Sequence, residues 1–156
     1  MECEMADMRL DNARTPEQVE RMQKLKEAGA CFFCDDNYVT FGAMPAIFET
    51  THWYVKKNDF PYKGAVHHYL IVPKQHIKRI IDLRIDAWLE LHIICWKLTN
   101  DLRVTGESIF VRSGDMLYTG ATLDHMHFHF LVGGPKQEGG SLEDNILVTL
   151  GHQLKQ

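Results

Sequence analysis

His125-Met126-His127-Phe128-His129-Phe130 alternates an imidazole with a large apolar side chain at every step. Successive side chains of a strand point to opposite faces, so this stretch predicts His125, His127 and His129 on one face and Met126, Phe128 and Phe130 on the other. The apolar face anchors the strand in a core. Imidazoles repeating at roughly 6 to 7 Å along one face fill a core poorly and repel one another in acid, whereas structural histidines usually occur singly. A strand that is merely rich in histidine, a metal site and a nucleophilic site are the three readings. Neutral imidazole is a competent nucleophile toward phosphorus, and flanking imidazoles can donate hydrogen bonds to phosphoryl oxygens as charge develops, which makes His127 the natural attacker.

Outward from this strand, residues 126–132 and 108–111 read as neighbouring strands, with a glycine-containing loop at 113–122 between them. Upstream, the apolar residues of 82–104 recur at helical spacing, with Ile85, Trp88, Leu89, His92, Ile93, Trp96 and Leu98 forming a stripe against a polar face. Further upstream, residues 46–49, 53–55 and 67–72 are short runs rich in aromatic and β-branched residues, separated by polar or Gly/Pro breaks, and read as antiparallel strands. A first helix is signalled by Thr15 as N-cap, Pro16 at the first helical position and Gln18 completing a capping box, and it should run to about Ala28 and stop at Gly29. Residues 1–14 carry no period and read as a flexible tail. Residues 133–140 read as a loop, and 146–150 fits a strand or a helix equally badly. Strands, one long helix and further strands predict a single α+β domain over 15–156, with an additional N-terminal helix.

The chain has 156 residues, 45% of them hydrophobic, which is enough for one core. A formal net charge of -4 and the lack of any long Lys/Arg run argue against duplex nucleic acid as partner. Apolar runs are broken by charge well short of the roughly 18 residues of a membrane helix, and acids stand in the first ten residues where a secretory signal would carry bases. These features predict no membrane partner and a cytoplasmic location. Of the four cysteines, Cys31 and Cys34 form a tight C-x-x-C, Cys3 lies in the tail and Cys95 lies within a helical pattern, so metal binding or free thiols fit better than disulfides.

The 125–131 segment resembles the His-φ-His-φ-His-φ-φ signature of the histidine-triad (HIT) family. Three further landmarks follow that family's order: Cys31-Phe32-Phe33-Cys34, His68-Tyr69-Leu70-Ile71-Val72-Pro73-Lys74-Gln75-His76, and Gly120-Ala121-Thr122 just before the triad. The resemblance covers residues 31 to about 134. It implies a HIT-like antiparallel sheet and a nucleotide hydrolase, in which His127 attacks the α-phosphate to form a covalent nucleotidyl-histidine that water resolves. It also implies His68 and His129 as supporting histidines, Gly120 and Thr122 at the phosphate, and a homodimer. An uncharged nitrogen nucleophile avoids repulsion from the anionic phosphate, and two displacements replace one difficult step.

In the zinc-bearing members that this chain resembles, the ligand set corresponds to Cys31, Cys34, His76 and His125, which implies a structural Zn(II) beside the catalytic strand. Free thiols or a redox pair are the alternative readings of Cys31 and Cys34. Two stretches depart from the better-known adenosine-binding branch. Asn58-Asp59-Phe60-Pro61-Tyr62 does not keep its ribose-binding spacing, although Asp59 could serve a ribose. Val111-Arg112-Ser113-Gly114-Asp115 replaces an Asn-containing segment, and Arg112 is a candidate phosphate ligand or an ordinary surface residue. Transfer of the nucleotidyl group to an acceptor other than water, a non-catalytic nucleotide-binding regulator and a zinc-stabilised interaction module are the competing functions.

Overall fold

The computed structural model describes residues 6–154. Five strands, β1 (Phe48–Glu49), β2 (Trp53–Lys57), β3 (His67–Pro73), β4 (Ser108–Val111) and β5 (Phe128–Val132), form one antiparallel sheet in the order β1-β2-β3-β5-β4. The helices are α1 (Pro16–Glu27), α2 (Asn37–Thr40), α3 (Ile85–Leu102) and α4 (Met116–Thr119). Among the described residues, no helix is long and apolar enough to cross a membrane.

Strand alternation divides the interior into two layers. Trp53 and Val55 of β2, Tyr69 and Ile71 of β3, and Phe128, Phe130 and Val132 of β5 pack with Ala87, Leu91, Ile94 and Leu98 of α3. Tyr54, Leu70 and Val72 face the other way, toward Met22 and Leu25 of α1 and the Phe32-Phe33 turn. The Trp53 indole N–H donates to the Ala87 carbonyl at 2.9 Å, and the Tyr54 hydroxyl donates to the Phe33 carbonyl at 3.0 Å, so each layer is tied to the sheet by a satisfied polar contact. The β3–β5 register sets Leu70 opposite His129 and Leu131 opposite His68, which leaves the two histidines as diagonal neighbours on the face turned away from α3.

The expected apolar stripe of the long helix is the outer one. Leu89, Ile93 and Trp96 are 64%, 58% and 64% exposed, and of the seven predicted positions only Leu98 is buried. The helix is apolar around most of its circumference, and the face that meets the sheet carries Ala87, Leu91, Ile94 and Leu98 at spacings of a single heptad-like ridge. Thr15 caps α1 as expected, its hydroxyl accepting from Gln18 N–H at 3.1 Å, while the Gln18 side-chain Oε1 accepts from the N–H of Arg14 rather than from that of Thr15.

Of the expected tail at 1–14, residues 1–5 lie outside the described residues. From Ala6 onward the chain is packed: Ala6 and Met8 are buried, Met8 bridges Leu123, and the Arg9 N–H donates to the Thr122 carbonyl at 3.0 Å. The strand expected from residue 126 begins at Phe128, residues 113–122 contain α4, and 146–150 forms neither strand nor helix.

Candidate active site and metal centre

A pocket opens on the sheet face opposite α3, beneath α1. His127, His129, Arg112, Gly120, Thr122 and Asp59 all line it, with Tyr62 from the stretch read as the nucleoside end, joined by Asn12, Arg14, Arg21 and Thr149 from segments that sequence reasoning did not connect to a site. His68 stands behind the lining, buried, with its Nε2 at 2.9 Å from His129 Nδ1.

His127 is half-buried and lies just before β5, so it has no ladder partner to orient it. Its Nδ1 is 3.0 Å from the His125 carbonyl oxygen. A carbonyl only accepts, so Nδ1 carries the hydrogen and Nε2 keeps its lone pair. The carbonyl comes from two residues upstream on the same segment, where a bend folds the imidazole back on its own backbone. The rings of Phe33 and His129 flank it, each with its centroid 4.9 Å away.

Burial dominates the electrostatics of His127, His129 and His68. It pushes His127 down to about 4 and His68 to about 3, and it holds His129 well below the ordinary histidine range, with neighbouring histidines and Arg112 adding to the effect. All three are therefore neutral near pH 7.

Gly120 ends α4 with φ +67, a conformation that a side chain would strain, and a Cβ there would meet Thr149 and Gly151 of the C-terminal segment at ordinary contact distance. Arg112 is fixed from several sides: its Nε and Nη2 donate to the Thr149 carbonyl at 3.2 and 2.7 Å, and Nη2 donates to the Tyr62 hydroxyl at 2.8 Å. Asp59 is already engaged. Its Oδ1 accepts from Met44 N–H at 3.0 Å, and its Oδ2 takes the fully buried Lys56 ammonium at 2.7 Å and lies 3.3 Å from Arg21 Nη1.

Beside this pocket, one ligand atom from each of Cys31, Cys34, His76 and His125 lies within 4.8 Å of the others. Sγ of Cys31 is 3.3 Å from His125 Nδ1, and Sγ of Cys34 is 3.5 Å from His76 Nδ1 and 3.6 Å from His125 Nδ1. A tetrahedral zinc with ordinary Zn–S and Zn–N bonds has ligand-to-ligand edges of about 3.3 to 3.8 Å, so these separations fit the ion. His125 Nε2 donates to the Pro73 carbonyl at 2.9 Å, and His76 Nε2 faces Asp124 Oδ1 at 3.5 Å; both contacts leave Nδ1 directed at the cluster, as metal-bound histidines require. Cys31 is a free thiol, whereas Cys34 is disulfide-bonded, which for Cys34 corrects the expectation of metal binding or a free thiol in preference to a disulfide. The four-ligand set therefore belongs to the reduced chain.

Asn12, Arg14 and Arg21 escaped the sequence reading because the pre-helical segment and α1 carry no motif, and Thr149 because nothing local marks its approach to the triad. The cap signal at Thr15 locates the start of α1 but not its docking over the histidines.

No family model matches the chain. An uncharacterized HIT-like protein of Chlamydia trachomatis is 35% identical over 92 residues, spanning 56% of this chain and 79% of the relative. Among solved structures, a HIT family hydrolase from Clostridium thermocellum superposes with a TM-score of 0.53 at 25% identity, covering 69% of this chain and 93% of that one. A hypothetical protein from Leishmania major shares the fold at 16% identity, with a TM-score of 0.53 and coverage of 83% and 82%. With His127 and His129 lining a pocket beside a five-stranded antiparallel sheet and a HIT-like relative matched over most of its length, the chain belongs to the histidine-triad family.

Proposed function

We propose that the protein is a nucleotide hydrolase that releases a nucleoside monophosphate from a phosphate-linked group through a covalent nucleotidyl-histidine on His127. One observation carries this reading: the hydrogen bond from His127 Nδ1 to the His125 carbonyl leaves the Nε2 lone pair available at a pocket lined by His129, Arg112, Gly120 and Thr122. In this reading Nε2 attacks the α-phosphorus, and His129, supported from behind by His68, donates to the phosphoryl group. Gly120 and Thr122 border the phosphate, and its positive φ lets the Gly120 backbone approach an anion closely. Arg112 supplies a charge-assisted donor. Asp59 lies at the nucleoside end, where it orients Arg21. The hydrolase from Clostridium thermocellum that shares the fold supports the same reaction class.

Cys31, Cys34, His76 and His125 would hold a structural zinc in the reduced chain; its contribution would be to fix the His125 backbone, not to act on phosphorus. The exposed apolar face of α3, with Leu89, Ile93 and Trp96, supports a homodimer. Without a membrane-crossing helix among the described residues, a cytoplasmic enzyme fits this reading.

The test is mass spectrometry of the protein mixed rapidly with nucleoside 5′-phosphoramidates and dinucleoside polyphosphates differing in base. A nucleotidyl adduct on His127 in the wild type, with no adduct and no monophosphate release in His127→Ala, is the expected result. Turnover that survives in His127→Ala would overturn the assignment, and exchange of the nucleotidyl group into an added acceptor in preference to water would make the protein a transferase.

A further inference from the structure

The hydrogen-bond chain behind the nucleophile ends on two donors with no acceptor between them. The Tyr62 backbone N–H donates to His68 Nδ1 at 3.2 Å, while the Asn58 amide nitrogen, oriented by the Phe60 N–H on its oxygen at 3.0 Å, lies alongside the ring at 3.3 Å from Nδ1 and 3.2 Å from Nε2 and selects neither. A backbone N–H can only donate, so His68 Nδ1 is the acceptor and the His68 hydrogen sits on Nε2. That hydrogen points at His129 Nδ1, 2.9 Å away, which places the His129 hydrogen on Nε2 in turn. His129 Nε2 then faces Arg112 Nη1 at 3.2 Å. Neither group offers a lone pair there, and an anionic oxygen entering from the pocket is the acceptor both require.

Charge around the same point is unbalanced. The pocket lining carries three guanidiniums, Arg14, Arg21 and Arg112, against the single carboxylate of Asp59. Asp59 is shared between Arg21 and Lys56, and neither Arg14 nor Arg112 has a carboxylate partner among the described residues. Tyr62 holds both of these arginines: Arg14 lies over its ring, 4.1 Å from the centroid, and Arg112 donates to its hydroxyl at 2.8 Å. Arg14 is further fixed by donating to the Phe60 carbonyl. Two guanidiniums are thus held near each other at a cost in mutual repulsion, and the single negative charge of a reacting phosphodiester or phosphoramidate does not balance them.

We propose that Arg14 and Arg112, together with His129 Nε2–H, form an anion subsite for the leaving group, so that the bond broken at His127 joins the nucleotidyl phosphorus to a phosphate oxygen rather than to an amine nitrogen. The inference rests on His127 being the nucleophile. His127 Nε2 supplies the electron pair of the new P–N bond, and the bridging P–O bond breaks with its pair going to the leaving phosphate, whose added charge develops beside the two guanidiniums. Water then attacks the nucleotidyl-histidine. Its oxygen enters the nucleoside monophosphate, the P–N pair returns to Nε2 and one proton passes to solvent. An amine leaving group would acquire positive charge at the same place and meet repulsion.

Two measurements test this. Calorimetric titration with inorganic pyrophosphate should show binding to the wild type that weakens with added salt, and a loss of about 10-fold or more in affinity in Arg14→Gln and in Arg112→Gln, as removal of one charge-assisted contact implies. The ratio of kcat/KM for diadenosine triphosphate to that for adenosine 5′-phosphoramidate should fall by a similar factor in Arg14→Gln, a variant at the pocket rim. Pyrophosphate binding absent from the wild type, or unchanged in both variants, would overturn the subsite. An adduct on His127 from both substrates at an unchanged ratio would also overturn it while leaving the nucleophile standing. No adduct from either, with pyrophosphate bound by the wild type and lost in the variants, would fail the nucleophile and keep the anion subsite.

Discussion

Removing the Asp59 carboxylate should destabilise the fold far more than it affects any ribose contact, because that carboxylate neutralises a buried lysine. The Lys56 side chain is 0% exposed and that of Asp59 is 12% exposed; the ammonium donates to Asp59 Oδ2 at 2.7 Å and to the Lys57 carbonyl at 2.9 Å. Burial already pulls the Lys56 pKa down, and the hydrogen bond and charge of Asp59 oppose that shift. In Asp59→Ala a single neutral carbonyl remains for an ammonium out of water, with Arg21 unpaired beside it, and breaking a buried pair this way costs about 3–5 kcal/mol. For a chain of this length that corresponds to a fall in Tm of roughly 6–20 °C. The pH dependence has a definite sign. Without Asp59 the folded-state pKa of Lys56 drops further below its unfolded value, so above that pKa the unfolded chain binds more protons than the folded one, and the variant recovers stability relative to wild type as pH rises. Lys56→Met with Asp59→Ala removes both charges and should recover most of the loss, since an apolar replacement of a buried pair is often neutral. Urea denaturation at pH 7 and pH 9, with reductant and zinc held constant, measures all three proteins. An Asp59→Ala deficit under about 1 kcal/mol at pH 7, or one that neither shrinks at pH 9 nor responds to Lys56→Met, would refute the reasoning.

Reduced protein should bind about one zinc per chain, as a structural tetrahedral site does, with the metal lost to a mild chelator in Cys31→Ser; stoichiometric zinc in a Cys31→Ser, Cys34→Ser double variant, read by a colorimetric assay, would exclude the site. A Cβ at Gly151, where φ is +114, would stand 2.6 Å from the Tyr118 carbonyl oxygen, so Gly151→Ala should lift the C-terminal segment off α4 at a cost of about 1–3 kcal/mol. Faster proteolysis within residues 146–154 reports that change, and an unaltered cleavage rate would contradict it. Placing charge on the outer face of α3 with Leu89→Glu and Trp96→Glu should convert a dimer to a monomer in sedimentation without loss of helical signal, because both side chains are well over half exposed in the single chain.

The sheet face that carries the triad was legible because period-two alternation leaves one solution: with Phe128, Phe130 and Val132 in the α3 layer, His127 and His129 must face the other way. The long helix lacked that constraint. Both of its sides are apolar, and bulk favours the Trp88/Leu89/Ile93/Trp96 side as core, yet the sheet accepts the ridge of Ala87, Leu91, Ile94 and Leu98. Hydrophobicity along one helix cannot rank two apolar faces when the depth of the opposing surface decides between them. The pocket rim was illegible for a related reason. Arg14 and Asn12 belong to a segment without periodicity, and what brings them to the triad is a set of long-range contacts, Met8 with Leu123, Arg9 N–H with the Thr122 carbonyl and the Asn12 amide with the Ala121 carbonyl.

Those contacts, with the cysteine cluster, explain how His127 can sit outside the regular sheet and still be held. Residues 125–127 make no β5 ladder bonds, yet each has one fixed polar tie: His125 Nε2–H to the Pro73 carbonyl, Met126 N–H to the Ile77 carbonyl at 2.8 Å, and His127 Nδ1–H to the His125 carbonyl. His125 is fully buried between Phe33 and His76, and its Nδ1 points at the two sulfurs. The atom that selects the His127 tautomer therefore belongs to a residue whose ring is a candidate metal ligand. Whatever holds that ring holds the carbonyl, and through it the direction of the His127 Nε2 lone pair. The leading histidine thus joins the cysteine cluster to His127 through a single peptide carbonyl.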